Sequence, residues 1–353
     1  MSPAGAPRRP QRVFLHLGLP KTGTTYLQDV LWSNRRRLAG DGIHLPGFGH
    51  REHLWAALDL AERPRLERRH VDAPGAWSRL VEEALGQSRD VLLTHEFFCI
   101  ASKAQAARAV AAFGDREVHL VLTVRDAAGL VLAGWQESVK NGSTRGLQEV
   151  LEGKSASGPE FSMRAWDVAG VLRRWGHHVP PERVHILPMP GPGQAREDHW
   201  RHFAEVLGVD AEAYDAPAQA SNPALGIVQI ELLRRINAHL PAYSARDRGV
   251  WIRGYLAEGR LAHQGRSRGS IPDEYASRFH AQDEAALAAI EAGGYDVVGD
   301  LATLQKAEVA LGGRLPETVS SDELVESAAQ LVAVILADVR ASTGDVPPRP
   351  GGN

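Results

Sequence analysis

The residues best suited to chemistry gather at three places. The first is Pro20-Lys21-Thr22-Gly23-Thr24-Thr25, which follows the apolar run Val13-Phe14-Leu15-His16-Leu17 and leads into a helical pattern. A glycine turn before a helix start, with hydroxyls and a lysine, makes an anion site from backbone N–H groups and positive charge. A Walker A loop needs Gly, four residues, Gly, Lys, then Ser or Thr. Counting from Gly18, the second glycine falls correctly at Gly23, but Thr24 stands where the lysine belongs, and the lysine is at 21. Only five of the 40 basic residues are lysines. A lysine in this loop therefore points to a need for a compact, movable ammonium and not merely a cation. The bland alternative is a turn ahead of a threonine-capped helix.

The second place is His95-Glu96, after the run Asp90-Val91-Leu92-Leu93-Thr94. Either residue can accept a proton from a substrate hydroxyl. The structural alternatives are a histidine closing a strand end and a glutamate serving a helix start. The third is Arg125-Asp126, after Glu117–Val124. The guanidinium fork suits a further phosphate, and a surface ion pair is the competing reading. Metal chemistry has little support: no HExxH occurs, Cys99 is the single cysteine, and His177-His178 sits in a proline-bounded turn.

The elements that must position these groups follow from the apolar pattern. Strands are expected at 12–17, 90–94, 117–124 and 183–187. Helices are expected at 24–38, 76–86, 102–112, 127–139, 163–175 and 197–207. Near-continuous apolar strands alternating with helices predict an α/β fold, a three-layer αβα arrangement around a central parallel sheet. Ligands in such sheets bind beyond the carboxyl ends of the strands, where all three clusters fall. From about 222 the texture becomes helical. Pro223 stands in a first turn, further helices are expected at 245–262, 273–291, 303–311 and 321–340, and Ser320 with Glu323 forms a capping box. The expected organisation is one domain over 12–341 with these helices packed around the sheet, between disordered tails at 1–11 and 342–353.

Composition narrows the function. A net charge of −3 and a pI near 6.6 argue against a general nucleic-acid or membrane-surface partner. A single cysteine, no signal-peptide pattern and no membrane-length apolar run make a cytoplasmic protein without membrane insertion the default. The oligomeric state is left open.

"PKTGTTYL" resembles the 5′-phosphosulfate loop of sulfotransferases that use 3′-phosphoadenosine 5′-phosphosulfate (PAPS). "LVLTVRDAAGLVLAGW" resembles the same family's 3′-phosphate motif, and "VLLTHEFF" its catalytic-base segment, with order and spacing agreeing over roughly 12–140. The resemblance implies a P-loop-like fold and sulfuryl transfer from PAPS to a hydroxyl, or second in order an amine, of a small-molecule or carbohydrate acceptor, without a metal. It assigns Lys21 to the charge on the bridging oxygen. Thr22, Gly23, Thr24, Thr25 and Tyr26 line the 5′-phosphosulfate, Arg125 the 3′-phosphate, and His95, preferred over Glu96, is the base. Two departures stand out. Ala133 replaces a 3′-phosphate serine, and no Arg-Lys-Gly-x-x-Gly segment occurs, the nearest loop being Gly265–Ser270. The competing functions are a P-loop kinase or NTPase, and a non-catalytic adenosine-3′,5′-bisphosphate binder.

Overall fold

The structure is a computed structural model that describes residues 10–154, 161–191, 193–216, 225–240, 243–265, 270–305 and 312–343. Pro223, most of the 265–270 loop, residues 306–311 of an expected helix and nearly all of both expected tails lie outside these residues.

Strand β1 (Arg12–His16) leads to α1 (Thr24–Ser33), α2 (Arg35–Gly40) and the short β2 (Ile43–His44). Next come α3 (His50–Leu60), α4 (Ala76–Leu85), β3 (Asp90–Thr94) and α5 (Lys103–Ala111). After β4 (Glu117–Val124) run α6 (Ala127–Lys140), α7 (Leu147–Leu151), α8 (Met163–Trp166) and α9 (Val168–Trp175). β5 (Val184–Pro188), α10 (Glu197–Leu207), α11 (Ile227–Asn237) and α12 (Ala245–Asp247) follow; α12 opens into the π-helical Arg248–Glu258. The chain ends through α13 (Ala276–Gly293), β6 (Asp296–Val297) and α14 (Ser321–Thr343).

The four expected strands all form. Among the described residues all six strands are parallel, in the order β2-β3-β1-β4-β5-β6. The link out of β1 runs past β3 to β2, while those leaving β3 and β4 run the opposite way. That reversal opens a crevice at the carboxyl end of β1. Phe14, Leu92, Val121 and Leu187 point to one face of the sheet, where Leu27, Val30 and Leu31 of α1 and Phe203, Ala204 and Leu207 of α10 complete a dry core.

Two expected helices are split by polar side chains that compete for backbone partners. Asn34, whose amide donates to the Val30 carbonyl at 2.8 Å, divides α1 from α2. Asp167 leaves helical geometry to accept the Gly170 N–H at 3.0 Å, dividing α8 from α9. The helical reading after 222 also needs correction, because Asp296–Val297 pairs with β5 as an edge strand.

The chain divides into two compact units. The first, residues 1–131, 158–220 and 276–309, contains the whole sheet. The second, residues 132–157, 221–275 and 310–353, is helical and built on the packing of α11 against α14. Inside it the buried Glu231 accepts from Arg234 at 2.7 Å and Arg235 at 2.8 Å.

Candidate functional site

All three clusters belong to the sheet unit. Register sets the first two side by side: His16 pairs with Thr94 across β1 and β3, and the His95 N–H donates to the His16 carbonyl at 3.2 Å. A Cβ on Gly18 would stand 2.9 Å from both Cα and Cβ of Glu96, so the phosphate-type loop lies directly against the His–Glu pair.

The loop is braced from beneath. The Thr22 hydroxyl donates to the Leu19 carbonyl at 2.7 Å and meets Thr123 Oγ1 on β4 at 2.6 Å, fully buried. Thr22 therefore offers a ligand only its backbone, whereas its hydroxyl staples the loop to the sheet. Thr24 is also buried, which leaves Thr25 as the exposed hydroxyl. Tyr26 is buried with an unpartnered hydroxyl, and Arg196 lies 4.1 Å over its ring. Lys21 adopts φ 71°, a left-handed conformation that costs a side-chain-bearing residue about 1–2 kcal/mol. Gly23 caps α1 at φ 78° and has no side chain, so the N-cap position itself offers the first amides of that helix no side-chain acceptor.

His199 of α10 closes the loop from the other side. Its Nε2–H donates to the Thr22 carbonyl at 2.8 Å, and a Cβ on Gly23 would meet its ring at 2.9 Å. Burial lowers its pKa to about 4, so it stays neutral. His53 of α3 accepts the Thr94 N–H at Nδ1, 3.0 Å, and donates to the Pro46 carbonyl, 2.8 Å; burial lowers it to about 4 as well. Neither is apparent from sequence. His199 sits in a helical apolar pattern with Trp200 and Phe203, and its only signal is a histidine on the buried face.

His95 is buried, and its Nδ1 accepts the Phe97 backbone N–H at 3.1 Å. A backbone N–H only donates, so that nitrogen presents a lone pair, and in the neutral ring the proton is on Nε2. Burial lowers the His95 pKa, against the opposing pull of Glu96, and so favours the neutral ring. Glu96, one-fifth exposed, accepts from Gln28 Nε2 at 3.2 Å and lies 3.7 Å from His95 Nδ1.

The third cluster differs. Arg125 Nε donates to Asp126 at 3.2 Å, and Asp126 also accepts the Gly129 N–H at 2.6 Å. Asp283 of α13 accepts the Ala127 N–H at 2.8 Å; its other oxygen is buried and unpartnered, and burial raises its pKa to about 7. The start of α6 is thus held by two carboxylates, and Ala133 lies further along the same helix.

Among the described residues no group of three or more His, Cys, Asp or Glu side chains is arranged to hold a metal ion, and no helix is long and apolar enough to cross a membrane. No family model matches the chain, and no curated protein matches it. Among solved structures it is similar to a crystal structure of a sulfotransferase from Alicyclobacillus acidocaldarius, at 18% identity and a TM-score of 0.43, over 68% of this chain and 99% of that one.

Proposed function

We propose that this protein is an enzyme that transfers a sulfuryl group from PAPS to a hydroxyl of a small-molecule or carbohydrate acceptor, without a metal. The observation that carries the reading is the uncapped start of α1, behind a lysine-bearing loop that lies against His95-Glu96. The α1 amides and Thr25 suit the 5′-phosphate, and Lys21 stands in the same loop. As the acceptor oxygen bonds to sulfur, the bond from sulfur to the phosphate oxygen breaks. Charge grows on that leaving oxygen, and an ammonium beside it favours the transition state over the ground state.

The acceptor proton must go to a base. The sequence points first to His95, but with the Phe97 N–H on Nδ1 its second nitrogen is a donor. Glu96 is the proton acceptor in this reading, and the His95 Nε2–H orients the acceptor or a sulfuryl oxygen. Arg125 already donates its Nε–H to Asp126, which leaves its terminal Nη–H groups to read the 3′-phosphate. A kinase reading is weakened because Asp126, the best carboxylate for magnesium, is already committed to Arg125 and Gly129.

The test is incubation with PAPS, EDTA and a panel of hydroxylated acceptors, followed by mass spectrometry. A gain of one sulfate is expected on at least one acceptor. No transfer, together with magnesium-dependent consumption of a nucleoside triphosphate, would overturn the proposal in favour of a kinase or NTPase.

A further inference from the structure

The helix α14 carries more apolar surface than its own unit uses. Its buried seam is Leu324, Ser327 and Leu331. Rotated about a third of a turn from that seam, Val325, Val332, Leu336 and Val339 are 67, 54, 63 and 43% exposed, with Ala329 exposed among them. Residues Leu331–Ala337 read Leu-Val-Ala-Val-Ile-Leu-Ala without a polar interruption. Single exposed aliphatic residues are ordinary, but a continuous stripe along one helix marks a contact surface.

We propose that this stripe pairs with the same helix of a second copy of the chain, antiparallel about a two-fold axis at Val332. Val325 and Val339 stand seven residues either side of Val332, so the axis brings Val332 against Val332 and Val325 against Val339. The open edge of the stripe carries Asp322 and Glu326 near its start and Arg340 near its end. In an antiparallel pair like edges meet, so each Arg340 lies beside the other copy's Asp322 and Glu326. A parallel pair sets opposite edges together, so Arg340 finds no acid of the other copy beside it. A two-fold contact must be complementary to itself, and this stripe is. The chain's own undescribed segments are poor covers, since their only large aliphatic side chains are Met1, Val309, Leu311 and Val346. The stripe from Val325 to Val339 runs about 21 Å along the helix, at about 1.5 Å per residue. Such a seam is smaller than a standard interface, so the dimer is concentration-dependent, with a dissociation constant of about micromolar or weaker.

The test is sedimentation velocity of the full chain from about 1 to 100 μM, a range spanning that affinity. A reversible dimer is expected. Val332→Glu and Leu336→Glu should be monomeric with unchanged thermal melts, because both positions are exposed. Arg340→Glu should weaken association about tenfold through its two symmetric contacts, and Glu326→Arg added to it should restore the dimer. The swap pair decides the matter even where an apolar-to-charged variant fails to fold. A wild-type chain that stays monomeric, or a dimer indifferent to both Val332→Glu and Arg340→Glu, overturns the proposal. Flotation of a monomer with anionic vesicles would assign the stripe to a lipid surface instead.

Discussion

Helices α1 and α6 both begin just past the carboxyl ends of neighbouring strands, and each presents about half a positive charge from its unpaired amides. One start is bare and the other is filled. Gly23 gives α1 no side-chain cap, whereas the Gly129 and Ala127 amides of α6 already donate to Asp126 and Asp283. A helix start binds an anion in proportion to what the chain has left unsatisfied there. The loop after β1 is therefore preorganised for a phosphate group, whereas Arg125 already commits its Nε–H to an internal carboxylate.

The largest effect is expected at the bare start. Lys21→Ala should lower sulfate transfer about a hundredfold or more, the scale for removing one transition-state stabiliser, with the melting temperature little changed. Lys21→Arg should recover only part, since a planar fork does not replace a compact ammonium. Near-normal transfer by Lys21→Ala would remove the loop from the mechanism.

Next is the pair beside it. Glu96→Gln should lose about a hundredfold to ten-thousandfold in turnover, as for loss of a general base, while 3′-phosphoadenosine 5′-phosphate still raises the melting temperature. His95→Ala should lose less. The His95 pKa lies below its ordinary value, so turnover should not fall at the usual histidine midpoint as pH drops. The opposite ranking would return the base to His95.

A smaller effect is expected from Gly23→Ala. An alanine there must hold φ 78° and move the His199 ring. The fold should lose about 1–3 kcal/mol, read by urea titration, and nucleotide stabilisation should fall with it. An unchanged midpoint would show that His199 does not brace the loop.

What the sequence reveals and hides follows the same division. Strands β1, β3, β4 and β5 are legible because burial on both faces leaves near-continuous apolar runs. The two-residue edges β2 and β6 are too short to show any periodicity. Lys21, Gly23 and Thr25 are legible because a phosphate-type loop is a local motif. The inward turn of Thr22, the His199 contact and the Asp283 cap are not, because each partner lies on a distant segment: Thr123, the Thr22 carbonyl and Ala127 are respectively 101, 177 and 156 residues away. The tautomer of His95 lies between these cases. It is set two residues away by Phe97, yet it depends on a backbone angle that the residue types do not specify.

A pH-dependent effect sharpens the filled start. Asp283 has its pKa raised to about 7 from an ordinary 3.8, so between those values the folded protein holds a proton that the unfolded chain has released. Its contribution is fully present below about pH 4 and is lost as pH rises through 7, at about 1.4 kcal/mol per pKa unit. His53 and His199 run the other way. Lowered from 6.5 to about 4, they stay neutral in the fold while the unfolded chain takes up protons, so stability falls as pH drops from 6.5 toward 4. Asp283→Asn keeps an acceptor for the Ala127 N–H and cannot ionise. Urea titrations should therefore show the variant gaining on wild type as pH rises, by less at pH 5 than at pH 8. The nucleotide shift at pH 8 should also grow, because one negative charge near Arg125 is gone. An equal difference between variant and wild type at the two pH values would mean that Asp283 is ionised throughout, and that the start of α6 holds two full negative charges.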